Sequence, residues 1–226
     1  MERLGCPTLC CLATVPGSPQ VPEVQFFGAS TLYAKISRSW SDLPTEQHGS
    51  LKTQLISQVG HFASGPKMVL TRLCVALASL VLHLMPNTWP TAVPDLLREF
   101  QSGQAITGAD GRVRCLAVLE LLAVLPEEFQ NSKMPAARRT QLRTALARQW
   151  STVCPLLQQL LRQADSPAQV KMRVLRCLAS WMALDVSLGD SEGLLQDSFS
   201  TLADPELFDT VVETIVSTIS QPDSHR

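Results

Sequence analysis

The chain has 226 residues, of which 45% are hydrophobic and 17% are charged, and its formal net charge at pH 7 is −1. It is long and apolar enough to bury a sizeable core, and it lies outside the composition range of intrinsically disordered chains. The small net charge produces no long-range field that would favour nucleic acid or an anionic membrane as a partner. We therefore expect a folded protein that binds neither of them.

The residue pattern favours helix over strand throughout the chain. Aromatic residues make up only 5%, whereas leucine and alanine recur in blocks of helical length, so both propensity and pattern predict an all-α protein. Proline at the first turn of a helix loses no hydrogen bond and therefore marks helix starts. Four such blocks begin directly after a proline, namely Pro22, Pro66, Pro167 and Pro205.

In chain order, each opening helix is followed by a partner segment. The opening helices are predicted over 23–39, 67–84, 112–125, 168–184 and 206–220, and the partner segments over 46–63, 88–101, 136–163 and 191–202. The third opening helix is predicted to stop at Pro126, because proline interrupts a helix interior. Ser166 and Asp204 are predicted to be N-caps of the last two opening helices.

The spacing of these pairs predicts a repeat architecture. The opening helices start near positions 22, 66, 112, 167 and 205, which is close to the ~40–47-residue unit of HEAT and armadillo repeats. Apolar stripes such as Val170, Val174, Leu178 and Trp181 leave each pair with more apolar surface than it can bury alone. We therefore predict an α-solenoid of about five HEAT-like helical hairpins. An irregular all-α bundle is the alternative on periodicity alone.

Nothing in the sequence indicates an active site or a metal site. The histidines are isolated along the chain, and the adjacent Glu127 and Glu128 point in different directions on a helix. No phosphate-binding glycine loop, G-x-S-x-G or H-E-x-x-H occurs, and no cysteine pair has the C-x-x-C spacing. The sequence therefore predicts no catalytic, cofactor-binding or metal-binding residue, and a protein that is not an enzyme.

Two apolar features have a structural explanation. Cys74, Cys115 and Cys177 lie inside apolar helical blocks, where a reduced thiol acts as a small hydrophobic side chain. The most apolar segment, 69–85, contains Arg72 and His83 and ends at Pro86, so it is short and poorly suited to span a bilayer. We expect it to be a buried helix of the solenoid.

Charge is distributed unevenly along the second half of the chain. Residues 129–164 contain six basic and no acidic residues, whereas 184–224 contains nine acidic and no basic residues. This inversion predicts a basic patch and an acidic patch for a protein partner, with an ordinary solvated surface as the alternative.

Several strings along the chain resemble the importin-β family of nuclear transport receptors. The string QFFGASTL at 25–32, with Trp40 and Leu43–Pro44 after it, is similar to the second helix pair of the importin-β N-terminal domain. The likeness continues through LTRLCVALA at 70–78, Trp89–Pro90 and LPEEF at 125–129, and then through Ser180–Trp181 and the stretch from ELFD at 206–209 to QPD at 221–223. The resemblance covers about Val21 to the end.

The resemblance implies a function and a set of candidate residues. Members of the family are long HEAT superhelices that carry protein cargo between cytoplasm and nucleus and bind the GTP form of the GTPase Ran through their N-terminal repeats. It implies protein import into the nucleus, with export as a further activity and nucleoporins as further partners, and location in both compartments. By analogy, the second helices of the pairs line the concave side. The candidates for contacting Ran are then Lys52, Asp95, Glu99 and Arg143.

The chain departs from the family pattern in two respects. Residues 1–20 do not resemble the first repeat of the family and are expected to form an irregular or atypical segment, whereas 21–226 resembles HEAT repeats of the importin-β N-terminal and exportin-1-like regions. Relatives continue through many more repeats, so the chain is expected to be a fragment or a truncated isoform without transport activity. A HEAT scaffold of an enzyme complex is the other functional alternative.

Overall fold

The structure is a computed structural model that describes residues 21–102 and 110–220. The predicted atypical segment 1–20 and His225 lie outside these residues. The described residues form ten α-helices and three short 3-10 turns, with no strand among them. The helices are α1 (Pro22–Arg38), α2 (Thr45–His61), α3 (Lys67–Leu84), α4 (Ala92–Gln101), α5 (Gly111–Asn131), α6 (Ala136–Ala147), α7 (Trp150–Arg162), α8 (Ala168–Met182), α9 (Leu188–Ser200) and α10 (Phe208–Ile219).

Prolines begin the helices where the sequence places them. Pro22 is the first residue of α1, and Pro66 and Pro167 directly precede α3 and α8. The predicted N-cap Ser166 is wrong, because Pro167 occupies the cap position and no side chain caps α8. Asp204 does accept a backbone hydrogen bond, from Glu206 at 3.0 Å, but this bond closes a turn ahead of α10, which begins only at Phe208.

The opening helices pack against one another in chain order. The principal contacts run from α1 to α3, from α3 to α5, from α5 to α8 and from α8 to α10. One continuous apolar core extends from Ala29 in α1 to Leu194 in α9. Helices that are consecutive in this series, rather than distant helices around one centre, bury one another's apolar sides. The predicted all-α solenoid is therefore confirmed over the described residues, and the irregular bundle is not supported.

Four of the five opening helices have partner helices among the described residues. In chain order the partner helices are α2 after α1, α4 after α3, α6 and α7 after α5, and α9 after α8, and α10 is the fifth opening helix. The main contacts of these partners are α2 with α3, α4 with α5, α7 with α8 and α7 with α9. By length and composition α3 could cross a membrane, but 67% of it is buried inside the protein. It is the buried solenoid helix that the sequence predicts. The thiols of Cys74 and Cys177 are fully buried in α3 and α8, and burial raises the pKa of both.

The predicted end of the third opening helix at Pro126 is wrong, because α5 continues through this proline to Asn131. Proline has no N–H to donate to the carbonyl four residues earlier, which here is the carbonyl of Leu122. That carbonyl instead accepts a hydrogen bond of 2.8 Å from the indole Nε1 of Trp181 in α8. A neighbouring helix thus satisfies the group that the proline leaves unpaired, and the helix can continue.

The partner segment predicted over 136–163 is divided into α6 and α7 by a break at Arg148 and Gln149. The break turns Trp150 into the protein, where it is 3% exposed. Its indole Nε1 donates to the hydroxyl of Ser191 in α9 at 3.0 Å, and its ring stacks on that of Trp181. The break therefore joins the third helix pair to the fourth.

A buried ion cluster joins three consecutive opening helices. Glu120 of α5 is only 3% exposed. Its carboxylate accepts a hydrogen bond of 2.8 Å from Thr71 of α3 and forms ion pairs with Arg173 and Arg176 of α8. Arg176 also binds Glu127 of α5 in a bidentate manner, at 3.0 and 2.8 Å. The cluster fixes how α3, α5 and α8 align along their axes.

A second contact joins the first two helix pairs. The ring of Trp40, in the turn after α1, stacks on His48 of α2 and on His83 of α3 at centroid distances of 4.1 and 4.7 Å. Burial, together with the guanidinium of Arg138, lowers the pKa of His83 below its ordinary value. The histidines are isolated along the sequence, but the fold brings His48 and His83 onto one indole.

Substitution of Glu120 tests the ion cluster. Glu120→Ala leaves two partly buried arginines without their shared carboxylate, and removal of one partner from a buried ion pair is strongly destabilising. We expect the free energy of unfolding to fall by about 3 kcal/mol, measured by urea denaturation. Glu213→Ala, an exposed carboxylate of α10, is the matched control and should change it by less than about 0.5 kcal/mol. Equal effects of the two substitutions would show that the cluster does not stabilise the stack.

The lowered pKa of His83 predicts a dependence of stability on pH. Below the ordinary histidine pKa of 6.5, the unfolded chain takes up a proton that the folded chain resists, so stability is lost as pH falls, by up to about 1.4 kcal/mol per pH unit for one proton. His83→Phe keeps an aromatic ring against Trp40 and should remove this component. The raised pKa of Glu128 acts in the opposite direction but equally in both proteins. Identical slopes between pH 7 and 5.5 for wild type and variant would contradict the assignment.

Candidate partner-binding surface

Two of the predicted partner-binding residues meet on one tryptophan. The Nζ of Lys52 in α2 lies 4.5 Å from the centroid of the Trp89 ring, a distance typical of a cation–π contact. The indole Nε1 of Trp89 donates a hydrogen bond of 2.9 Å to Oδ2 of Asp95 in α4. Trp89 itself is 6% exposed. The buried ring of Trp89 therefore contacts both the ammonium group of Lys52 on α2 and the carboxylate of Asp95 on α4.

Asp95 is held in a single charged state by its neighbours. Burial alone would raise its pKa, but hydrogen bonds from Trp89 and Thr91 and the charge of Arg98 bring that pKa below its ordinary value. Thr91 lies just before α4 and donates at 2.8 Å, so Asp95 also anchors the start of this helix. Arg98 pairs with Asp95 while 72% of its own side chain stays exposed. The α4 surface therefore presents an anchored carboxylate beside an accessible cation.

Glu99 follows Asp95 by one helical turn and therefore lies on the same side of α4. Its side chain is partly exposed. Lys52, Asp95 and Glu99, with Arg98 beside them, thus form one polar surface on α2 and α4, which we call the α2–α4 surface.

Arg143, the fourth candidate, lies elsewhere, on α6. Its Nη1 is 2.5 Å from Oδ2 of Asp185, which lies in the turn after α8. Asp185 has a φ of 60°, a left-handed conformation that aspartate tolerates better than most residues. This turn directs the carboxylate toward α6. Arg143 therefore already has a partner within the chain.

The basic and acidic segments of the second half are partly paired with each other. Arg143 pairs with Asp185, and Arg162 of α7 pairs with Asp197 of α9 at 2.7 Å. The pattern of charge along the sequence did not show this, because the solenoid places α6 and α7 beside the α8–α9 pair. Some of the basic residues and some of the acidic residues therefore form ion pairs between neighbouring repeats.

Within 21–102 and 110–220, no group of three histidine, cysteine, aspartate or glutamate side chains could hold a metal ion. Clefts lie between the helices of this part of the chain, and polar as well as apolar side chains line them.

Two families match the chain along its length. The Importin-beta N-terminal domain matches residues 8–61, which include α1 and α2. The family described as Exportin 1-like protein matches residues 66–215, from the start of α3 into α10. The chain belongs to the importin-β family. The resemblance seen in the sequence is thus confirmed.

Curated relatives from several organisms agree with this membership. Importin-13 of Homo sapiens is 56% identical over 207 residues, which is 92% of this chain and 21% of the relative. Importin-13 of Gallus gallus is 50% identical over 92% of this chain and 21% of the relative. Transportin MOS14 of Arabidopsis thaliana is 29% identical over 167 residues, which is 72% of this chain and 16% of the relative. The chain spans about a fifth of the length of the importin-13 relatives it matches.

In this importin-β family chain, the α2–α4 surface joins the two matched regions. Lys52 lies in the part that matches the Importin-beta N-terminal domain, and Asp95 lies in the Exportin 1-like part. Sequence reasoning missed the role of Trp89, which holds the two together. The order Trp89, Thr91 and Asp95 at the start of a helix is the local signal that could have indicated it.

Proposed function

We propose that this chain is part of a nuclear transport receptor that binds the GTP form of Ran and contributes to protein import into the nucleus. The proposal rests chiefly on membership of the importin-β family, whose members bind Ran-GTP and cargo. It is supported by relatives named Importin-13 that are 50% and 56% identical to the chain. Location in both cytoplasm and nucleus, export as a further activity, and contacts with nucleoporins belong to the same proposal.

The α2–α4 surface is our candidate for the contact with Ran. It offers a lysine that lies on a buried ring, a carboxylate whose low pKa keeps it ionised, and the exposed Arg98. Charges that the fold already holds in place lose little further freedom when a partner binds. Arg143 is a weaker candidate, because a Ran contact would have to compete with Asp185.

The solenoid provides a means of coupling Ran to cargo. Each helix pair is held mainly by its neighbours, so small changes at several interfaces add to a change in curvature. A partner that prefers one curvature shifts the population and alters the affinity for a second partner elsewhere. On this proposal the chain has no catalytic role, and its activity is binding.

Titration with Ran tests the proposal. We expect the chain to bind Ran loaded with a non-hydrolysable GTP analogue at least tenfold more tightly than Ran loaded with GDP, measured by calorimetry. Equal binding of both forms, or none, would contradict the proposal and favour a scaffold of an enzyme complex or a product without transport activity.

Variants of Lys52 test the surface separately. Lys52→Met keeps an unbranched side chain on the Trp89 ring but removes the charge, and we expect Ran-GTP affinity to fall by about three- to tenfold. Lys171→Met, which removes a lysine from the opening helix α8, is the matched control and should leave affinity unchanged. If Ran-GTP binds normally to Lys52→Met, the α2–α4 surface is the wrong place, although the proposed function would stand.

A further inference from the structure

A cleft with a volume of about 610 Å³ lies where the C-terminal ends of α1, α3 and α5 meet the start of α6. It is separate from the α2–α4 surface. The charged and titratable side chains that line it are Tyr33, Arg38, His83, Glu128, Lys133 and Arg138. We call it the α1–α6 cleft.

Two cations of this cleft are free to bind a ligand. Arg38, at the end of α1, and Lys133, just after α5, are exposed, and neither forms an ion pair with any carboxylate in the described part of the chain. Arg138 is held in place, because its Nη2 donates to the carbonyls of Leu82 and His83 at 3.0 and 3.2 Å. Its charge partly offsets the negative end of α3. The net charge available to a ligand is positive.

The one carboxylate of the cleft does not neutralise these cations. Glu128 is only 7% exposed and is hydrogen-bonded to Tyr33. Burial raises its pKa, although the hydrogen bond from Tyr33 and the charge of Arg72 act against this rise. Glu128 therefore belongs to the wall of the cleft, whereas Arg38 and Lys133 lie at its rim.

Two other clefts of the described residues have a different balance of cations and carboxylates. In the cleft of about 800 Å³ between α6, α7 and α9, Arg143 is paired with Asp185. The unpaired Arg148 shares this cleft with the exposed carboxylate of Asp190.

In the cleft of about 740 Å³ between α8 and α10, Arg173 and Arg176 are paired with Glu120. The unpaired Lys67 shares this cleft with the exposed carboxylate of Glu213. The α1–α6 cleft is distinguished from these two by having two exposed, unpaired cations and only a buried carboxylate among its lining residues.

From this charge distribution we infer that the α1–α6 cleft is a docking site for an acidic segment of a partner protein. An extended occupant fits better than a single small anion, because the volume is many times the roughly 30 Å³ of one water molecule. The hydroxyls of Ser37 and Ser79 and the amide of Asn131 also line the cleft and can bind the backbone of a peptide. Charge complementarity would give the segment its orientation and a fast association rate.

A labelled peptide of about ten residues, rich in glutamate and interrupted by glycine and serine, tests this inference. We expect it to bind the full chain, measured by fluorescence anisotropy at low ionic strength, and to weaken as salt is added. The double variant Arg38→Gln, Lys133→Gln should reduce the affinity roughly tenfold, because two exposed charge pairs are lost.

The matched control is Lys35→Gln, Lys67→Gln, which removes the same two units of charge from exposed positions outside the cleft. It should leave the affinity close to that of the wild type. Equal weakening by both double variants would show that only the overall charge matters and would overturn the inference, as would no detectable binding to the wild-type chain. Lys133→Glu provides a second, single-site test if the double variant is less stable.

Two further probes identify the ligand chemistry. A lysine-rich peptide of the same length should not bind, and inorganic phosphate at millimolar concentration should compete poorly. Complete competition by phosphate would show a site for small anions and would overturn the assignment to a peptide. None of these measurements involves Ran, so their failure would leave the proposed function untouched.

Discussion

Each of the inner opening helices α3, α5 and α8 buries one side against the opening helix before it and another against the one after it. In α3 this leaves residues such as Leu73, Cys74 and Leu77 with no exposed surface at all. A single hairpin cannot bury such residues completely, so each helix pair depends on its neighbours for stability. Apolar side chains remain exposed mainly where a neighbour is absent from the described residues, as for Phe27 on α1 and Ile219 on α10. The stacked series of opening helices therefore determines where the partner helices, and the surfaces they carry, are placed.

Polar contacts then define how the stacked helices align. Apolar packing alone would tolerate small slips between α5 and α8. The ion cluster around Glu120 and the hydrogen bond from Trp181 to the Leu122 carbonyl each require one alignment. The hydrogen bond from Trp181 also lets α5 run through Pro126. The C-terminal end of α5 then reaches the start of α6 and forms one wall of the α1–α6 cleft. The charged surfaces follow from this alignment.

The sequence predicts the helices well because their signals are local. Pro22, Pro66 and Pro167 mark the starts of α1, α3 and α8, and the apolar stripes of these helices have the right period. The continuation of α5 could not be predicted, because it depends on an indole 59 positions away. The pairing of the basic segment with the acidic segment likewise depends on which helices are neighbours. The four candidate residues could be chosen from the sequence because each is a charged residue off the apolar stripes. The contact of Lys52 and Asp95 with one tryptophan ring could not be predicted, because it depends on the fold.

Hydrogen–deuterium exchange of the backbone amides tests the stacking most directly. In a solenoid held by nearest neighbours, the helices with a neighbour on both sides open least often, and the end helices open most often. We expect slower exchange in α3, α5 and α8, which have neighbours on both sides, than in the end helices α1 and α10. Equal protection of all five opening helices would indicate one cooperative globular core and would contradict the account.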